Sequence, residues 1–341
     1  MVFKAATVHA APVFMDKEAS IDKAIDLIKK AGQEGIKLLV FPETFIPGYP
    51  YFIECYPPLA QVEALAQYTD ASVEIDGPEV TRLQQVAKAA GVAVVMGISE
   101  RMAETRTCFN SQVFIDVDGT LLGVHRKLQP TYAERKVWAQ GGGYTLRTYK
   151  SSLGVLGGLA CWEHTMNLAR QALIMQSEQI HAAAWPGLST MRGFEPVADI
   201  QIDAMMKTHA LTAQCWVLSA GNPVDRTCLD WMEKNIGPQD YVTEGGGWSA
   251  VIHPFNSYLG GPHTGLEEKL VVGEINLDDL KFVKVWLDSK GHYARPEILK
   301  LGVNQKQIWP DEHLLARQDV TELLEADIIE YPLQLLQDRA Q

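Results

Sequence analysis

Three polar side chains stand in matching surroundings, each directly after a run that reads as a buried strand. Glu43 follows Leu38–Pro42, Lys127 follows Leu121–Arg126, and Cys161 follows Gly154–Ala160, with Trp162 and Glu163 next. Ligand sites in α/β folds lie at the carboxyl ends of strands. Three strands would therefore deliver a carboxylate, an ammonium and a thiol to one edge. A thiol at a strand–turn–helix junction is acidified by the helix N-terminus and by a nearby cation. A carboxylate beside it takes its proton and later returns it. Position alone also fits a plainer reading. Cys161 is then a small buried hydrophobe, Glu43 a surface or helix-start carboxylate, and Lys127 a solvated hairpin lysine.

The elements that must position these groups alternate along the chain. Phe3–His9, Ile36–Phe41, Val92–Ile98, Val155–Ala160, His181–Ala184, Trp216–Ser219, Ser249–His253 and Lys269–Ile275 read as strands. Cys108–Val117 and Leu121–His125 flank Asp118-Gly119, a hairpin signal. Ile21, Ala24, Ile25 and Ile28 follow helical spacing, with Ser20 as the expected cap and Gly32 as the expected stop. Val80–Ala90, Leu168–Gln176 and Ile200–Cys215 read as further helices. This order is α/β, and strands without strict alternation imply sheets covered on both faces. Residues Pro223–Gly247, rich in Gly, Asp and Pro, read as a long excursion. Beyond about Asn304 the pattern fades into a charged tail with one helix near Val320–Ala326. The expected organisation is one domain over 1–303 and a C-terminal extension over 304–341.

Composition narrows the function classes. With 341 residues, 47% hydrophobic and 21% charged, the chain is long enough to bury a large core. The net charge of −12 argues against nucleic acid and against anionic membranes as partners. The longest apolar stretch, about eight residues around Val92–Ile98, falls far short of the ~20 that span a bilayer. No charged start followed by an apolar run points to secretion. Five cysteines, an odd number without a CxxC pair, argue against a disulfide framework and a zinc site, and fit the cytoplasm.

Local strings sharpen the reading. Phe41-Pro42-Glu43-Thr44-Phe45 is followed by Pro47-Gly48-Tyr49-Pro50. Arg126-Lys127-Leu128-Gln129-Pro130-Thr131 is followed by Glu134-Arg135, and Gly158-Leu159-Ala160 by Cys161-Trp162-Glu163-His164. In this order and spacing they resemble the nitrilase branch of the carbon–nitrogen hydrolase superfamily, from Ala5–Asp16 through Asp288–Pro296. The resemblance implies a four-layer α-β-β-α sandwich. It implies Cys161 as nucleophile, Glu43 as general base, Lys127 as electrostatic stabiliser, and Glu134 as a second glutamate that orients Lys127 or the substrate. Cys-Trp-Glu separates nitrilases from the amidase branches.

The implied reaction converts an organic nitrile and two waters into a carboxylic acid and ammonia through a cysteine thioimidate and thioester, with no metal or organic cofactor. Cyanide hydratase or dihydratase, an amidase of the same superfamily, and a catalytically dead binding protein are the alternatives. The resemblance also implies homo-oligomers, dimers that stack into larger assemblies or helical filaments. His164 either touches substrate or structures the nucleophile's turn. Trp185 is either a pocket wall or an ordinary core tryptophan. Trp162, Tyr49, Tyr51 and Phe52 are candidates for the substrate pocket. The sequence departs from the family pattern at His9, where Gln is common, and at Met166-Asn167-Leu168, which lacks the usual proline.

Overall fold

The computed structural model describes residues 1–316. Twelve strands form two six-stranded sheets. The first contains β1 (Val2–His9), β2 (Ile36–Val40), β3 (Ala93–Arg101), β4 (Cys108–Ile115), β5 (Leu121–Arg126) and β12 (Lys269–Asn276), in the order β12-β1-β2-β3-β4-β5. The second contains β6 (Tyr149–Ser151), β7 (Gly154–Ala160), β8 (Ile180–Trp185), β9 (Trp216–Gly221), β10 (Ser249–Ile252) and β11 (Tyr258–His263), in the order β11-β10-β9-β8-β7-β6. Each sheet has a parallel centre, β1-β2-β3 and β7-β8-β9, flanked by antiparallel strands.

Parallel neighbours need crossovers. Helices Lys17–Gln33 and Pro78–Ala90 supply them in the first sheet, and Asn167–Met175 and Ala198–Ala213 in the second. Their apolar sides cover the outer faces. Ile21, Ala24, Ile28, Val80 and Leu83 pack on Ala6, Leu39 and Val94. Ile202, Met206 and Ala210 pack in one cluster with Ala183, Val217 and Ala250. The inner faces meet through Leu38, Val40, Val95 and Phe114 on one side and Ile180, Ala182, Trp216 and Leu218 on the other. The result is the expected α-β-β-α sandwich. Strands with two buried faces explain the near-continuous apolar runs.

The strand directions matter for the site. β5 is antiparallel to β4, and β4 to β3, so β5 runs the same way as β2 and β3. The carboxyl ends of β2 and β5 thus open onto one edge of the first sheet.

Local details differ from the expectations. Asp16, not Ser20, caps the first helix, its Oδ1 accepting from the Ala19 N–H at 2.9 Å. Ser20 Oγ lies in the first turn and donates to the Val13 carbonyl at 2.9 Å, pinning the preceding loop. Gly32 does not end the helix, which continues to Gln33. A Cβ there would lie 2.9 Å from the Ala90 carbonyl oxygen, so Gly32 lets two crossover helices touch. The excursion Pro223–Gly247 contains a helix, Arg226–Asn235, capped by the Asp225 side chain. The expected helix near Val320–Ala326 lies outside the described residues. Among the described residues no helix is long and apolar enough to cross a membrane.

The chain beyond Asn304 packs back onto the first sheet. Trp309 meets the Phe109 ring edge-on at 4.9 Å and donates its indole N–H to the Gln140 carbonyl. Leu315 is buried among apolar residues of the first sheet and its helices. Asp311 accepts from both terminal nitrogens of Arg126, at 2.9 and 2.5 Å. The fully buried Arg126 guanidinium also pairs with Glu100 and lies over the Phe109 ring. Arg126 directly precedes Lys127, so this segment braces the strand end that carries the candidate ammonium. Removing one partner of a buried ion pair typically costs 3–5 kcal/mol. Asp311 is partly exposed and Glu100 remains, so Asp311→Ala is expected to cost less, about 2 kcal/mol. The urea unfolding midpoint measures this; an unchanged midpoint would show that the brace contributes nothing.

Candidate active site

Each of the three sequence-predicted groups sits one to three residues beyond a strand. Phe41-Pro42 leads from β2 to Glu43. Gly97 of β3 passes directly beneath, where a Cβ would collide with the Pro42 carbonyl and lie 2.8 Å from the Thr44 nitrogen. Lys127 continues β5 by one more ladder bond, its N–H donating to the Asn110 carbonyl at 2.8 Å. Cys161 follows β7 at the first position of a short 3-10 turn. Three non-glycine residues around the site have positive φ: Thr44 at 43°, Tyr132 at 41° and Cys161 at 53°. Such conformations cost of order 1–3 kcal/mol each and persist where surrounding contacts over-determine them.

Those contacts are polar and buried. Lys127 Nζ lies 2.8 Å from Glu43 Oε1 and 2.7 Å from Glu134 Oε2. Asn110 Nδ2 donates to Glu43 Oε1 at 2.6 Å. Glu134 also accepts from the Tyr49 hydroxyl and from the Thr131 N–H, which opens the turn that carries it. Glu43 Oε2 is buried and has no hydrogen-bond partner. Ligating atoms of Glu43, Glu134 and Cys161 lie within 4.8 Å of one another. A carboxylate with one unpartnered oxygen therefore lies close to a thiol and is paired with an ammonium.

Burial and charge set the protonation. Burial lowers the Lys127 pKa, but Glu134 and Glu43 outweigh it and hold the ammonium well above its ordinary range. Burial pushes Glu43 up to about 7, assisted by Glu134 and opposed by Lys127. Burial and the Glu43 charge push the Cys161 thiol well up, against Lys127. Burial and the neighbouring carboxylate both favour the neutral thiol over the thiolate.

The turn at Cys161 is tied from two sides. Glu163 accepts from the Ala160 N–H at 2.9 Å and the Leu128 N–H at 2.8 Å, and lies 3.0 Å from His125 Nε2. It joins the cysteine strand to the lysine loop. Burial raises its pKa, but His125 and these backbone donors prevail and lower it. His164 Nδ1 lies 2.7 Å from the Cys161 carbonyl oxygen, and its ring stacks on Trp185 at 5.0 Å.

The family model described as carbon-nitrogen hydrolase matches residues 4–285. The chain is 36% identical over 311 residues to an aliphatic nitrilase of Rhodococcus rhodochrous, covering 90% of this chain and 84% of that one. It is 35% identical to a nitrilase of Pseudomonas syringae pv. syringae over 88% of this chain and 89% of the relative. The chain belongs to the carbon–nitrogen hydrolase family. A carbon–nitrogen hydrolase from Helicobacter pylori G27 shares the fold, with a TM-score of 0.68 at 19% identity, over 87% of this chain and 98% of that structure.

Within this carbon–nitrogen hydrolase fold Glu43, Lys127, Glu134 and Cys161 lie together. The aromatic candidates take different places. Tyr49 is a hydrogen-bond donor to Glu134 and packs on Tyr51 at 4.9 Å. The Tyr51 hydroxyl accepts from the Gly187 N–H. Trp185 is fully buried, with its indole nitrogen unpartnered, and Trp162 is half-buried. Met166 lies at the surface, 38% exposed. Asn110 escaped sequence reasoning, although Asn110-Ser111-Gln112 inside an otherwise apolar strand was a usable signal.

Among the described residues two buried groups have donor sets that suit a metal: Glu43, Glu134 and Cys161, and Glu178, His209 and Cys215. In both, the carboxylates already hold protein partners at hydrogen-bond distance, Lys127 in the first and His181 and His209 in the second. A cation would have to displace these.

Lys127→Met is expected to destabilise the fold by about 3–5 kcal/mol, because it strands two buried carboxylates. Adding Glu134→Gln should recover part of that loss. Urea titration of both variants measures this; equal or lower stability of the double variant would contradict the reading of Lys127 as a shared counter-ion.

Proposed function

We propose that this chain is a nitrilase, with Cys161 as nucleophile, Glu43 as general base and acid, Lys127 as electrostatic stabiliser and Glu134 as the residue that orients Lys127. The observation that carries it is the buried Glu43–Lys127–Glu134 cluster with the Cys161 thiol beside it. The nitrilase relatives support the substrate class.

Glu43 takes the thiol proton as sulfur adds to the nitrile carbon. Glu43 passes that proton to the nitrile nitrogen, giving a thioimidate and a carboxylate again. Lys127 and the Trp162 backbone N–H stabilise negative charge developing on nitrogen. Water deprotonated by Glu43 adds to the thioimidate, and ammonia leaves to give a thioester. A second water releases the carboxylic acid and restores the thiol. If sulfur leaves first, an amide is the product. Trp185, Trp162, Tyr49 and Tyr51 would surround the organic group, with His164 behind the nucleophile's turn.

Location and assembly follow the same reading. All five cysteines are unpaired, which supports a reducing cytoplasm. Phe282, Val285, Trp286, Tyr293, Ile298 and Leu299 are all exposed near the C-terminal side, which supports homo-oligomers that stack into larger assemblies.

A panel of cyanide, an aliphatic nitrile, phenylacetonitrile, benzonitrile and the matching amides tests the function. Wild type is expected to release ammonia and acid from an organic nitrile, and Cys161→Ala none. Turnover of amides alone, or of cyanide alone, would replace the proposal by an amidase or a cyanide hydratase. Because Glu43 must be deprotonated to act, kcat/KM should rise with pH through a midpoint near 7. A flat profile between pH 5.5 and 8.5, an interval of about one and a half units either side, would remove Glu43 from the base role.

A further inference from the structure

Behind the nucleophile lies a second buried chain of titratable groups that the proposed chemistry does not use. Glu178 precedes β8, His181 and Trp185 belong to β8, and His209 belongs to helix Ala198–Ala213. His164 Nε2 lies 2.9 Å from His181 Nε2. His181 Nδ1 lies 2.7 Å from Glu178 Oε1, and His209 Nε2 lies 2.8 Å from Glu178 Oε2. Glu178, His164, His181 and His209 are all fully or almost fully buried.

Hydrogen-bond bookkeeping fixes the protons. The Cys161 carbonyl only accepts, so His164 Nδ1 carries a proton. An ionised Glu178 only accepts, so His181 Nδ1 carries a second. One proton must bridge the two Nε2 atoms. Three protons on two imidazoles make one positive charge, balanced by Glu178. Burial raises the Glu178 pKa, but His181 and His209 outweigh it and bring it down to about 2, so it is ionised. The geometry puts the extra proton nearest the carboxylate, on His181, whose Nδ1 lies 2.7 Å from Glu178 Oε1.

We propose that Glu178, His181 and His164 form a charged positioning relay: one imidazolium, held by Glu178, polarises His164 and clamps the strained Cys161 carbonyl. The relay rests on the reading of Cys161 as nucleophile. A charge-assisted hydrogen bond is roughly twice as strong as a neutral one, and linked bonds strengthen each other. The same imidazole that clamps the nucleophile stacks on Trp185, so the turn and the candidate pocket wall share one anchor. Glu178, His181 and His164 are positioning residues, since none is placed to touch the reacting atoms.

Glu178→Gln separates charge from shape. The amide at position 178 can still accept from His209 and can donate to His181 Nδ1, so every hydrogen bond survives. The carboxylate and the third proton do not. A purely structural role predicts wild-type behaviour. The relay predicts a fall in kcat of about tenfold or more with KM within about twofold, and slower iodoacetamide alkylation of the Cys161 peptide. Nitrogen NMR of histidine-labelled wild type should show both His181 nitrogens protonated, assigned by loss in His181→Asn. Glu178→Gln should convert His181 to a neutral ring. Wild-type kcat and alkylation in Glu178→Gln, or an unprotonated His181 nitrogen in the wild type, would overturn the relay. Should that variant not fold, the wild-type spectrum decides alone. Absence of Cys161-dependent turnover in the wild type would instead sink the nitrilase reading, while spectrum and alkylation still judge the relay.

Discussion

The Lys127 ammonium, fully buried between two carboxylates, is the constraint around which the rest of the molecule is arranged. An isolated charge in such a place would lose its proton or unfold the core, because desolvation costs several kcal/mol per ion. Its partners must therefore arrive from separate elements and hold hydrogen-bond distance. Glu43 comes from the end of β2, Glu134 from a 3-10 turn, and Lys127 from the end of β5. Two strands ending at one sheet edge meet that demand with rigid backbone. The brace of Asp311 and Glu100 on Arg126 extends the same logic one residue upstream, where a second buried cation needs its own pair of carboxylates.

Rigid elements alone do not aim the groups. Thr44, Tyr132 and Cys161 turn the chain through left-handed conformations immediately beside the site. Their strain is opposed by local bonds: Thr131 to Glu134, Glu163 to Ala160 and Leu128, and His164 to the Cys161 carbonyl. Stability invested in the two-sheet core offsets conformations that a loop would relax. The price is sensitivity, since a displacement of about 1 Å at a reacting group can cost about a hundredfold in rate.

Much of this was legible in the sequence, and the rest was hidden for physical reasons. Strands such as Ile36–Val40 and Gly154–Ala160 announced themselves because two apolar layers cover them. Glu43, Lys127, Glu134 and Cys161 were readable because each sits in a distinctive local string. Helix Arg226–Asn235 was not, because it buries only Cys228, Leu229 and Met232 and reads as polar. Ser20 fits a cap by type, yet Asp16 takes that place because its side chain reaches the Ala19 N–H. Asn110 lies in sequence far from every residue it serves, and only the pairing of β4 with β5 brings it beside Lys127. The roles of His181 and Glu178 depend on contacts across three elements, which no local pattern encodes.

Two glutamates around one lysine are not redundant. Glu134 receives Lys127 and the Thr131 N–H on one oxygen and the Tyr49 hydroxyl on the other, so both of its oxygens are engaged. Glu43 receives Lys127 and Asn110 on one oxygen and leaves the other empty. In the proposed cycle the tethered carboxylate keeps Lys127 charged whatever happens to its neighbour. The carboxylate with the empty oxygen is then free to gain and lose a proton without stranding the ammonium. A single carboxylate would have to do both, and protonating it would remove the counter-ion at the moment when the cation is needed. Division of the two tasks between a tethered and a half-free carboxylate allows one buried lysine to serve every step.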